Sequence, residues 1–154
     1  MIKVTATVRL PRISPRQVAD WPSNLNSERY QHWHRDHRRF EYLKKTDTLV
    51  GSCIYIEETI GGVVMRNIWD VVAFDEDRSI LLKAESFLPT YLRMWADQIG
   101  DDTEVTSELM LGLSQSGLAR LCDWFLRRLI VTQRRVDAIR QHAVEELEKL
   151  QHMT

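Results

Sequence analysis

TEVTSELMLGL, residues 103–113, alternates along the chain as a β-strand does, and the segment that follows it does not. After Gly117 there is no Pro or Gly, and apolar residues recur at 118, 122, 125, 129, 136, 139, 143, 147 and 150. That spacing predicts one long amphipathic C-terminal helix, bent near Val131–Thr132. The change of period from two to about 3.6 at this point decides the fold class.

Upstream of it the strand pattern repeats. IKVTATVRL (2–10) is rich in β-branched residues, and LVGSCIYIEETIGG (49–62) ends on a Gly pair that turns it into VVMRNIWDVVAFDED (63–77). SILLKAESF (79–87) and YLRMWADQIG (91–100) continue the series. Between the first two strands, prolines at 11, 15 and 22 break the chain, and short helices are expected at 15–21 and 26–33. Ser14 is placed as the N-cap of the first. Strands segregated from helices make an α+β domain, with a curved antiparallel sheet wrapped around the terminal helix and a cavity between them.

At 154 residues the chain, 1–154, is expected to be one domain with a substantial core. A formal net charge of −1 gives no electrostatic case for a nucleic-acid partner, and RRFEYLKK (38–45) is too short a basic run to change that. Two cysteines, Cys53 and Cys122, without a CxxC pair or a signal-peptide pattern, predict reduced thiols and a cytoplasmic protein. No apolar run is long enough to span a membrane.

Chemistry-bearing residues gather in three remote places. YQHWHRDHRRF (30–40) holds three of the five histidines; on a helical turn His34 and His37 share a face, while His32 points elsewhere. In QHAVEELEKL (141–150), His142 and Glu146 are one helical turn apart. At roughly 100° per residue Glu146 falls at the margin of the apolar stripe, and Glu145 points almost directly into water. On the strand IYIEE, alternation sets Ser52, Ile54, Ile56 and Glu58 on one face and Cys53, Tyr55 and Glu57 on the other; the aliphatic series favours Glu58 as the inward carboxylate over Glu57. Two imidazoles and two carboxylates suit zinc, and equally iron, manganese or nickel. Each signal alone is weak, because a His-x-x-x-Glu pair is usually a solvated pair; the weight lies in their joint occurrence.

The combination WHRDHRRFEYLKKTDTLVGSCIYIEETIGG (33–62) with HAVEE (142–146) resembles the zinc-dependent 2,4-diacetylphloroglucinol hydrolases. These lie in the START-like helix-grip (SRPBCC) superfamily, which also contains polyketide cyclases. The resemblance implies a zinc held by His37 (His34 the alternative), Glu58 (Glu57 the alternative), His142 and Glu146. It departs at Trp33-His34-Arg35, where relatives often have Trp-His-Pro. It further implies hydrolysis of a carbon–carbon bond, removing an acyl group from an electron-rich aromatic ring or a related dicarbonyl compound. An acid must protonate the leaving ring carbon; Tyr55, Tyr91 and Glu57 are candidates by residue type. Trp33, Trp69, Trp95 and Phe87 are candidate pocket residues for a hydrophobic or aromatic small molecule.

Two other functions fit the same cavity: a non-catalytic START-like carrier of a hydrophobic molecule, and a metal-free polyketide cyclase or aromatase. Neither has a reason to converge two His and two carboxylates. In LARLCDWFLRRLI (118–130), Leu126 and Ile130 lie beside the main apolar stripe. That extra apolar face fits a homodimer, or coverage by the preceding loop.

Overall fold

The computed structural model describes residues 2–86, 88–112 and 132–152. Strand β1 (Ile2–Pro11) leads through helix α1 (Pro15–Ala19), a 3₁₀ turn (Trp21–Asn24) and helix α2 (Ser27–Trp33) into β2 (His37–Lys44). Then follow β3 (Cys53–Ile60), β4 (Val63–Asp75), β5 (Ser79–Ala84), β6 (Thr90–Ile99) and β7 (Asp102–Leu111). Helix α3 (Gln133–Lys149) ends in a 3₁₀ turn at Leu150–His152.

The seven strands form one antiparallel sheet in the order β1-β7-β6-β5-β4-β3-β2. Five hairpin connections run from β2 to β7, and β1 joins the far edge by pairing with β7 from Ile2↔Leu111 to Pro11↔Asp102. Strand β2 is an addition to the expected set. Its residues HRRFEYLK look like a solvated basic run because most of its side chains face water, and only His37 and Phe40 are buried. The strand 49–62 begins later than expected, at Cys53, because Leu49 and Gly51 adopt positive φ in a turn closed by a Ser52 N–H bond to the Leu49 carbonyl.

Local signals set the ends of the helices. Ser14 and Gln17 form a capping box at α1, the Asn26 side chain accepts from Arg29 N–H at α2, and Thr132 caps α3. Alternation along β1 buries Ile2, Val4 and Ala6 on the same side as Ile54, Trp69, Leu82 and Met94. Against this face lies α3, which contacts β1, β3 and β7 and closes the core with Leu147 and Leu150, 1% and 0% exposed. The β3–β4 turn is Gly61–Gly62, both at positive φ as a two-residue hairpin turn requires. A Cβ on Gly61 would stand 3.1 Å from Ala138 Cβ, so the glycine also lets the turn approach α3. The first part of the expected long helix, 118–131, lies outside the described residues, as do Leu126 and Ile130, on which the dimer expectation rests.

Candidate metal centre

Between sheet and helix is a cavity of about 210 Å³. Trp33, Trp69, Ile56, Leu82, Met94 and Leu109 are among its apolar walls. The ionisable side chains among the described lining residues are Tyr30, Glu58, His142 and Glu146; no Lys or Arg is among them.

Three elements bring four donors together. His37 and Glu58 are direct partners across the β2–β3 pair, and the register shift between His37 and Arg39 is a bulge that leaves both side chains on the inner face. From α3 come His142 and Glu146, four residues apart on one face. One donor atom from each of His37, Glu58, His142 and Glu146 lies within 4.8 Å of the others. His142 Nε2 is 3.3 Å from Glu146 Oε1 and 3.6 Å from Glu58 Oε2, and His37 Nε2 abuts Glu146 Oε1.

The surrounding bonds fix these groups. His37 Nδ1–H donates to the Tyr30 carbonyl at 2.8 Å, which leaves Nε2 for the centre, and its ring stacks on Tyr30 with centroids 3.8 Å apart. The Tyr30 hydroxyl donates to Glu58 Oε2 at 3.1 Å. Burial, then the Glu58 and Glu146 charges, push the Tyr30 phenol far up, so it keeps its proton. Trp33 Nε1–H donates to the Glu146 carbonyl at 2.8 Å and ties α2 to α3.

Burial alone would lower the His142 pKa, but the facing Glu146 and Glu58 carboxylates outweigh it and raise it to about 10. Burial would raise Glu146; His142 and His37 outweigh that and hold it below the usual carboxylate range. The arrangement therefore favours a positive charge at its centre. Among the described residues neither buried ring nitrogen of His142 has a directed hydrogen-bond partner, and Nε2 has only its ion-pair contacts with Glu146 and Glu58. An unsatisfied buried polar group costs about 1–3 kcal/mol. Two imidazole nitrogens beside two carboxylates form a donor set that zinc, iron or manganese accepts. The residues fit a divalent transition metal.

His34 is a different case, although it too lies near His37 and His142. It is not helical: α2 stops at Trp33 and His37 belongs to β2, so the two histidines do not share a helical face. Both of its nitrogens are engaged. Nδ1 accepts from Asp36 N–H at 3.2 Å, so Nε2–H donates to Glu145 Oε2 at 3.1 Å. Glu145 consequently does not point into bulk water as its helical angle suggests; hydrogen bonds from Gln141 and His34 hold its carboxyl low. His32 turns away and bonds the Glu28 carbonyl.

The candidate acids are not in the cavity. Tyr55 and Glu57 alternate to the opposite face of β3, where the Tyr55 hydroxyl and Arg66 both bond Glu57. Tyr91 and Trp95 alternate with the lining residues Thr90, Leu92 and Met94 and so face outward, Trp95 lying under Arg93. Trp33 and Trp69 do line the cavity, and Phe87 lies outside the described residues. Tyr30 and Trp21, absent from the expected pocket, are in it. Tyr30 was legible as one turn before His34 in the same segment, but its direction depends on where α2 ends.

No protein-family model and no curated protein matches the chain. Solved structures do match it. A protein from Thermus thermophilus superimposes with a TM-score of 0.71 at 14% identity, covering 99% of this chain and 96% of that one. A START superfamily protein from Mycobacterium smegmatis gives 0.64 at 17% identity, over 99% of both chains. The Zhui aromatase/cyclase from Streptomyces sp. R1128 gives 0.64 at 14%, covering 99% and 93%. This chain has the START-like helix-grip fold. At such identities the helix-grip likeness concerns the fold alone. No described helix is long and apolar enough to cross a membrane.

Proposed function

We propose that the protein is a metal-dependent hydrolase, with zinc as the first candidate, acting on a small hydrophobic carbonyl compound held between sheet and helix. The observation that carries this is the convergence of His37, Glu58, His142 and Glu146 on the wall of an apolar cavity, with His142 left unsatisfied. An acylated aromatic ring or related dicarbonyl compound is the substrate class, with cleavage of the carbon–carbon bond to the acyl group, on the resemblance to the diacetylphloroglucinol hydrolases. When bound by these four residues, zinc supplies a Lewis acid for a carbonyl oxygen and lowers the pKa of a bound water to about 7. The chain's own residues do the rest. Trp33 and Trp69 with the aliphatic walls hold an apolar ring and exclude water. With two carboxylates and no Lys or Arg among its described lining residues, the cavity favours neutral ligands over anionic ones. Tyr30 holds the phenolic proton nearest the centre, at Glu58.

The test is zinc content and hydrolysis together. Zinc-loaded protein should release acid from acylated phenols, and the chelated protein should not. Acid release that is unaffected by chelation and by His142→Ala would reject the reading.

A second reading is supported by the same apolar cavity and by the fold shared with an aromatase/cyclase: a binder or cyclase that needs no metal. It expects a hydrophobic fluorescent probe to bind equally well before and after chelation, and with Glu58→Gln.

A further inference from the structure

We propose that Asp36 is the positioning residue of His142: its carboxylate takes the Nδ1–H of that ring and so presents Nε2 to the metal. This rests on the metal-centre reading and adds a residue that the four-donor set does not contain.

His142 Nδ1 is buried, has no hydrogen-bond partner among the described residues, and faces Asp36 Oδ2 at 3.8 Å. The other ring nitrogen, Nε2, is the one turned to Glu58 and Glu146. Asp36 therefore meets the ring at the nitrogen not facing the centre, as an orienting group and not as a fifth donor. A metal-bound imidazole almost always gives its second N–H to a carboxylate or a carbonyl, which fixes the tautomer and the ring plane. His37 already has such a partner in the Tyr30 carbonyl; His142 does not.

The neighbouring bonds leave Asp36 no other imidazole to serve. Its backbone is pinned on both sides, N–H to His34 Nδ1 at 3.2 Å and carbonyl to Thr59 N–H at 2.8 Å. The same carboxylate oxygen is also 3.8 Å from His34 Nδ1. That nitrogen accepts the Asp36 N–H and has no proton to offer, because the His34 proton is on Nε2 and goes to Glu145. His142 Nδ1–H is left as the donor. An approach of about 1 Å brings the pair into hydrogen-bond range. The Asp36 side chain is 35% exposed and so is not fixed in the packed core.

The experiment titrates zinc, and separately cobalt(II), into metal-stripped wild type, Asp36→Ala and Asp36→Asn, with the unfolding temperature of each metal-free protein measured alongside. Asp36→Ala should weaken zinc by about 10–100-fold. Its cobalt d–d spectrum should shift as His142 loses its fixed orientation. Asp36→Asn keeps an oxygen that accepts the Nδ1–H and should recover part of the affinity. Wild type that takes up no zinc overturns the metal centre and this inference with it. Wild type that binds zinc while Asp36→Ala binds it equally well overturns the role of Asp36 alone. A lower unfolding temperature for metal-free Asp36→Ala with an unchanged cobalt spectrum also overturns it, since a purely structural role predicts that pattern.

Discussion

Glu57 and Glu58 are neighbours in the chain, and their side chains are about equally exposed, 18% and 16%. Their partners differ completely. Glu57, on the outer face, is neutralised by Arg66 at 3.1 Å, and the hydrogen bonds from Arg66 and Tyr55 lower its pKa. Glu58, on the inner face, bonds the Tyr30 hydroxyl and faces the His142 and His37 rings, with no Lys or Arg among the described residues of the cavity. Glu145 and Glu146 repeat the contrast on α3: one is bonded by Gln141 and His34, the other is set between His37 and His142. Exposure does not separate a structural carboxylate from a candidate ligand here. What separates them is the partner: Glu57 and Glu145 are held by hydrogen bonds from Arg66, Tyr55, Gln141 and His34, whereas Glu58 and Glu146 face His142, whose proton a metal ion can replace.

The largest effect should come from exchanging the two neighbours. Glu58→Ala should abolish stoichiometric zinc binding, and Glu57→Ala should leave it intact, read as metal content after equilibration and desalting. Equal retention in both would erase the distinction between the two faces. Next in size is a pH effect. In the metal-free protein the His142 pKa is about 10, above its ordinary 6.5. Its contribution to stability is therefore complete below about pH 6.5 and is lost as pH rises toward about 10. The unfolding temperature of chelated wild type should fall across that window, and His142→Ala should flatten the fall. A flat wild-type profile would mean that the carboxylates do not hold the proton. Metal uptake at neutral pH should also release that proton, measurable with an indicator in weak buffer.

A smaller effect sharpens the contrast among histidines. His34→Ala removes the half-buried bond to Glu145 and leaves the Asp36 N–H without its acceptor, and should cost about 1 kcal/mol of stability while zinc still binds. His37→Ala should lose zinc. A stability change of the same size is expected from Gly61→Ala, about 1 kcal/mol, from positive φ and the close approach to Ala138. Denaturant midpoints measure both stability changes, and a neutral Gly61→Ala would show that the turn does not need to approach α3 so closely.

Much of this is legible in the sequence, because period and punctuation are local properties. Alternation in IYIEE put Glu58 with Ile54 and Ile56, and the i, i+4 spacing put His142 with Glu146. What failed depended on tertiary context. A helical turn would pair His34 with His37, whereas α2 ends at Trp33, before both, and His37 belongs to β2 beside a register shift. Strand β2 is hard to see because an edge strand with a single buried apolar residue, Phe40, has almost no periodic signal. Tyr55 and Tyr91 are acid candidates by residue type alone, and the alternation that turns Glu58 inward sets Tyr55 on the opposite face. Glu145 illustrates the converse: its angle on the helix was right for solvent, but His34 arrives from another element and claims it.

The measurement that tests the central claim most directly is zinc content by plasma mass spectrometry. Metal-stripped protein is re-equilibrated with zinc and desalted, for wild type beside His142→Ala and Glu146→Ala. About one zinc ion per chain is expected in wild type and none in either variant. Folded wild type that retains no zinc, or variants that retain as much as wild type, would contradict the metal centre and leave the cavity to a metal-free ligand binder.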